Sequence, residues 1–168
     1  MDRDALRALQ APLKERYRAD PDAARVTLKA SATLDEGLSC SVRTGRAIAQ
    51  AGLHPATGGD GTLLCSGDML LEALAACAGV TLRAVATSLG IPVASGRVRA
   101  EGDLDFRGTL GIDRHASVGF SSVRLHFDLD TPADAGQVGK LLELTERYCV
   151  VYQTLATSLT VTTTAASN

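Results

Sequence analysis

Apolar positions along this chain recur first at helical spacing and then in alternation. Leu6, Leu9, Leu13 and Tyr17 lie three or four residues apart, which predicts a polar amphipathic helix over residues 3–18. Pro21 and Asp22 end it. Val26, Leu28, Ala30, Ala32 and Leu34 then alternate with polar residues, the pattern of a strand with one buried face. Asp35-Glu36-Gly37 signals a turn, and Leu38, Cys40 and Val42 make the answering strand of a hairpin, with Cys40 facing the core. Residues 52–62 hold four glycines and a proline and predict a loop.

The most apolar stretch runs from Met69 to Ala86, interrupted by Glu72 and Arg83. Ser66 as N-cap, Asp68 in the first turn, and Gly90 followed by Pro92 bound it as one long helix. At 1.5 Å per residue its length is about 35 Å, enough to cross a whole domain. It is apolar nearly all round, so it needs cover on most sides. Two alternating segments follow. Val98, Ala100, Gly102, Leu104 and Phe106 form one, and Val123, Leu125, Phe127 and Leu129 the other. Both predict antiparallel strands with one wet face, joined by a loop over residues 108–119. A second helix is expected from Thr131 as N-cap, Pro132 at its first position and Asp134 at its third. Its inward stripe runs through Leu141, Leu142, Thr145, Tyr148, Cys149 and Tyr152. A Thr/Val strand over residues 157–164 closes the chain. These elements predict a single α+β domain over residues 1–168, with residues 1–22 as a helical extension and 25–165 as the core.

Composition narrows the chemistry. The 168 residues are 45% hydrophobic with no tryptophan, so the core is built from Leu, Val and Ala. A net charge of -2 argues against a general nucleic-acid binder. The charged N-terminus has no apolar segment behind it and does not read as a signal peptide, and the Ala-rich apolar stretch reads as a core helix rather than a membrane span. The expected location is the cytoplasm. The glycine-rich loop lacks the order of a phosphate-binding loop. Four cysteines, Cys40, Cys65, Cys77 and Cys149, are widely spaced, and the three histidines are not paired at ligand spacing. Neither metal nor cofactor is expected. In a reducing compartment a disulfide among these cysteines is transient and catalytic rather than structural.

The strongest chemical signal is a cysteine on the core side of each of two buried helices. The segment Leu70-Leu71-Glu72-Ala73-Leu74-Ala75-Ala76-Cys77-Ala78-Gly79-Val80-Thr81-Leu82, preceded by Ser66-Gly67-Asp68, resembles the first-cysteine helix of the OsmC/Ohr family. Glu146-Arg147-Tyr148-Cys149-Val150-Val151-Tyr152-Gln153-Thr154-Leu155 resembles its second-cysteine segment. The order of elements agrees over residues 25–165. The resemblance implies an intertwined homodimer of antiparallel sheets around two central helices, acting on organic hydroperoxides. It implies that Cys77 is the peroxidatic thiolate, that Cys149 resolves its sulfenic acid to a disulfide, and that a dithiol reductant reopens it.

The chain departs from the family pattern at one position. Best-studied members place a Glu ten residues before the first cysteine, where this chain has Gly67. Asp68 is the neighbouring candidate. Glu72 is five residues from Cys77, roughly 140° around the helix, and belongs on the face of Ala76 and Arg83. Arg43, Arg46 and His54 are candidates for the activating cation, His54 with a charge that switches near neutral pH. Thr81, one turn after Cys77, is a candidate pocket residue, and Cys65, beside the helix start, an alternative resolving thiol. Two functions stay open: a thiol-dependent hydroperoxide reductase, and an OsmC-like small-molecule binding or sensing protein with little or no peroxidase activity.

Overall fold

The alternating segments build two separate sheets. The computed structural model describes residues 2–19, 31–34, 39–44 and 47–166. In the first sheet β1 (Ser31–Leu34), β2 (Ser39–Thr44) and β3 (Ala47–Gly52) are antiparallel neighbours, and the short β4 (Leu64–Cys65) joins β3 in parallel. Leu34 pairs with Cys40, which gives the expected hairpin its register. Val26, Leu28 and Ala30, the turn residues Asp35 to Gly37, Leu38, Arg46, and the helix-ending Pro21 and Asp22 lie outside the described residues, as does the side chain of Cys40. The strand β3 was not expected. Its sequence Ala-Ile-Ala-Gln-Ala-Gly has one β-branched residue and little alternation, so pairing along the whole of β2 makes it a strand where intrinsic preference does not.

The second sheet is β5 (Ser95–Asp103) against β6 (Ser122–Asp130), antiparallel, with Ser95 opposite Asp130 and Asp103 opposite Ser122. Val98, Ala100, Leu125, Phe127 and Leu129 turn inward. On the wet face Arg99 meets Asp128 at 3.2 Å, and Arg124 reaches both Glu101 and Asp103. These pairs are exposed and fix register more than they stabilise. The first strand stops at Asp103 rather than continuing to Phe106. The Asp105 carboxylate accepts a hydrogen bond from the Arg107 N–H and starts a one-turn helix, α3 (Phe106–Thr109), which turns the chain away.

The helix α2 (Ser66–Leu89) is the axis of the fold. Its N-cap is Cys65, not Ser66, because Ser66 already has helical geometry, and Cys65 lends no side-chain hydrogen bond. Gly90 ends it as expected, at φ 70°, with its N–H turned back to Ala86 and Thr87 carbonyls. Leu74, Ala78, Leu82, Val85 and Ala86 form its buried stripe, packed on β5 and on α4 (Ala135–Tyr148) and α5 (Val150–Ala156). By length and composition α2 is apolar enough to cross a membrane, yet one stripe of it is the core of this fold. Leu82, Val85, Ala86 and Ile91 close on Leu141, which is fully buried. Glu72, Ala76, Val80 and Arg83 share the opposite, exposed face, where Val80 is 73% exposed. The helix α1 (Arg3–Ala19) touches α2, and the Arg3 guanidinium lies against Gly90 at its end.

Two further expectations are corrected. The second helix is capped by Asp134, three residues after Thr131. The Asp134 carboxylate accepts from the Gln137 N–H at 2.9 Å, and the Gln137 side chain accepts from the Asp134 N–H at 3.1 Å. Thr131 is engaged elsewhere, donating to the Pro92 carbonyl and accepting from the Ala133 N–H. The reciprocal cap predicts that Asp134→Ala lowers unfolding free energy by about 1 kcal/mol, read as a lower urea midpoint at unchanged slope. The closing Thr/Val segment is not a strand. Residues 157–166 take no regular structure, and Leu159 and Val161 are exposed. A strand needs an edge to pair with, and among the described residues none lies beside this segment.

Candidate functional site

The two cysteines of the resemblance meet where the second helical segment breaks. Cys149 belongs to neither α4 nor α5. It takes an extended conformation, φ −74° and ψ 109°, as C-cap of one and N-cap of the other. This corrects the expectation of a continuous helix through Cys149. Its N–H still bonds the Thr145 carbonyl and its carbonyl accepts from Gln153, both at 2.9 Å, so the chain leaves and re-enters helix around a single residue. Gln153 also ties its side chain back to the Glu146 carbonyl at 2.9 Å. The break has a chemical consequence. The first amides of α5 have no carbonyl partner within the helix, and those of Val150 and Val151 turn to the Cys77 sulfur instead.

Cys149 is fully buried and packs with Leu74 and Ala78, and Cys77, itself half-buried, packs against this cluster along with Val98, Leu125, Tyr152 and others. Burial alone pushes the Cys77 thiol upward. Four donors outweigh it: the Val151 N–H, the Cys149 thiol, the Val150 N–H and the Thr81 hydroxyl. The net effect lowers the Cys77 thiol below its ordinary value. Cys149 moves the other way. Burial raises it first, and the hydrogen bond it gives to Cys77 and the charge of that neighbour raise it further, against the Tyr152 N–H. Of the two sulfurs Cys77 is therefore the one that ionises first, and Cys149 is the thiol that donates to it. Alkylation of Cys77, followed by mass spectrometry across pH, is expected to reach half its maximal rate below the ordinary thiol value of about 8.5. Thr81→Val is expected to move that midpoint upward.

The other candidates fall into two groups. Thr81 joins the cysteine pair. Arg43 sits on β2, opposite Ser31 and Ile48, and its side chain, like Arg46, lies outside the described residues. His54, Asp68 and Cys65 gather elsewhere, around a cavity of about 340 Å³ that also touches Gly67, Phe106 and Phe120. His54 accepts the Ala56 N–H on Nδ1 at 3.0 Å, and its ring stacks on Phe106 with centroids 4.9 Å apart. Along α2, Asp68 is nine residues and Cys65 twelve residues from Cys77, about 13 and 18 Å at helical rise. Within one chain neither reaches it. Among the described residues no group of three or more His, Cys, Asp or Glu side chains is placed to hold a metal ion.

A larger cavity, about 560 Å³ and mostly apolar, opens beside the cysteine pair. Leu74, Leu125 and Tyr152 belong both to its wall and to the packing around Cys149. Phe120 and Val123 line it farther out. Sequence reading missed Phe120, which falls between the loop expected over residues 108–119 and the strand pattern from Val123, and it missed the two α5 amides, because backbone donors leave no trace in residue type.

Comparison with known proteins bears on the whole arrangement. The sequence model of the family described as OsmC-like protein matches residues 59–164, well over half of the chain. No curated protein sequence matches. Among solved structures, an OsmC-like protein from Mycoplasma pneumoniae is 18% identical, with 78% of this chain and 88% of that one covered at a TM-score of 0.66. An organic hydroperoxide resistance protein OsmC from Legionella pneumophila is 18% identical, covering 77% and 89% at a TM-score of 0.61. One from Elizabethkingia anophelis gives 18% identity, 77% and 87% coverage, and a TM-score of 0.61. At these identities the structures establish a shared α+β fold.

Proposed function

The chain belongs to the OsmC-like protein family, and from that premise we propose that it reduces organic hydroperoxides through the pair Cys77 and Cys149. The observation that carries this reading is the division of labour between the two sulfurs, the Cys77 thiol lowered and the Cys149 thiol raised, packed against Leu74, Leu125 and Tyr152, which also line an apolar cavity. The Cys77 thiolate attacks the terminal oxygen of ROOH. The O–O bond breaks, an S–O bond forms, and the alkoxide leaves as ROH after taking a proton. Cys77 is then a sulfenic acid. The Cys149 sulfur displaces its oxygen as water and forms the disulfide. A dithiol reductant returns both thiols by exchange and becomes a disulfide itself. Aryl hydroperoxide consumption that depends on a dithiol protein tests the cycle; an absence of turnover by the reduced chain overturns it.

In this reading residues 25–165 are the working core and 1–22 a helical extension. The protein is cytoplasmic, where a disulfide serves as an intermediate rather than a staple. It works as an intertwined homodimer. Support comes from the exposed face of α2 around Val80 and, among the described residues, from the unpaired edges of the two-stranded sheet and a β-prone C-terminal segment that pairs with no strand. Light scattering that gives a monomer at every concentration removes the dimer.

One observation favours a second reading, a small-molecule binding or sensing protein of the same fold. Gly67 supplies no carboxylate where the resemblance expects Glu, and the Phe120 ring lies in contact with its position. The Cys77 titration separates the two: an inert thiol at or above about 8.5 favours the binder.

A further inference from the structure

The two cavities share Phe120, and its ring lies in a seat that Gly102 leaves open, with Gly67 in ordinary contact beside it. A Cβ at Gly102 on β5 would come within 2.5 Å of the ring, and one at Gly67 in the first turn of α2 within 3.5 Å. Gly102 is not in the left-handed region, so the backbone there tolerates any residue. What requires glycine is the ring itself, since a contact of 2.5 Å is closer than real Cβ atoms come. Gly119, next to Phe120, has open space where a side chain would be. The ring is thus seated where Gly102 has no side chain, next to a Gly119 that nothing crowds.

We propose that Phe120 is a specificity-determining partition that sets how long an apolar ligand the cysteine-side cavity accepts. In its wall Leu74, Leu125 and Tyr152 also pack around Cys149, Leu70 lies one turn nearer the start of α2, and the ring lies beyond it beside Gly67. Gly67, which marks the ring along α2, is ten residues from Cys77, about 15 Å at helical rise. The near wall is aliphatic and aromatic. Beyond the ring the surroundings change to His54, Cys65 and Asp68, where an alkyl chain gains little. A ligand with its polar head at the cysteines and an unbranched or arylalkyl tail therefore fits up to the ring and no farther. Assigning that head to a hydroperoxide rests on the function proposed above; the length limit does not.

The test uses the whole reduced chain and straight-chain primary alcohols of four to twelve carbons, which need no thiol chemistry. Calorimetric titration is expected to show affinity rising about fourfold per methylene, then levelling at a limiting length. In Phe120→Ala the rise continues through several more carbons, because the two cavities join. Phe120→Leu extends it less and disturbs packing less, and Phe120→Trp brings the plateau to shorter chains. Circular dichroism establishes that each variant is folded. The same plateau in the parent, Leu and Trp variants overturns the proposal, and so does a failure of every alcohol to bind the parent. Turnover of an aryl hydroperoxide is measured separately. A plateau that moves without turnover leaves the partition standing and removes the reductase; turnover with a fixed plateau does the reverse.

Discussion

Cys77→Ser abolishes dithiol-driven reduction of an organic hydroperoxide, with a loss on the order of 10³-fold or more, the scale seen when a nucleophile is removed. The substitution exchanges sulfur for oxygen at nearly constant shape, so the donors around position 77 remain. They do not rescue it. The Val150 and Val151 amides, the Cys149 thiol and the Thr81 hydroxyl are neutral groups. They lower a thiol from its ordinary value of about 8.5, but an aliphatic hydroxyl starts far higher and stays protonated at neutral pH. Serine also has no counterpart of the sulfenic acid through which the cycle passes. Cys77 is half-buried and its neighbours Leu74, Ala78 and Cys149 supply the packing, so the folded state is expected to survive with a melting temperature near the parent's. Activity that persists in a folded Cys77→Ser protein sinks the reductase reading.

The cysteines were legible in the sequence because side-chain chemistry and helical spacing both mark them. The alternation of β5 and β6, and the Gly90-Pro92 stop of α2, were legible for the same reason: each is a local pattern with a local cause. What was not legible depends on contacts across the chain. Ala47–Gly52 is a strand because β2 lies beside it. Residues 157–164 carry strand-forming residues and yet form none, since no described strand lies along them. Thr131 looked like a cap and was drawn instead to the Pro92 carbonyl, thirty-nine residues away, which left Asp134 to start the helix. At the site the same division holds. Thr81 was found by its one-turn spacing from Cys77. The break at Cys149 carries no Gly or Pro to announce it, and without that break the α5 amides would not face Cys77. Phe120 fills its seat only because Gly102 leaves room, with Gly67 in contact beside it, a three-residue relation spread over α2, β5 and a loop.

Cys149→Ser is expected to separate the first half of the cycle from the second. With one equivalent of hydroperoxide and no reductant, the parent loses two hydrogens and gains a disulfide. The variant instead gains one oxygen atom at Cys77, a sulfenic acid that a carbon-acid trap labels. With a dithiol protein as reductant the parent turns over and the variant stalls after that first event, because among the described residues no other thiol lies within reach. Cys65 does not substitute, being about 18 Å away along α2. Further hydroperoxide drives the stalled Cys77 to sulfinic acid and inactivates it. The first event should also slow at neutral pH. Cys149 is one of the donors that hold the Cys77 thiolate, and a hydroxyl is shorter than a thiol, so the Cys77 titration shifts upward and less thiolate is present. Serine further places a polar group at a position with no solvent exposure, which costs about 1–3 kcal/mol unless it finds a partner. A disulfide-dependent cycle that runs undiminished in this variant means that Cys149 is not the resolving thiol. Loss of the first oxygen transfer along with turnover means that its place is in activating Cys77 rather than in resolving it.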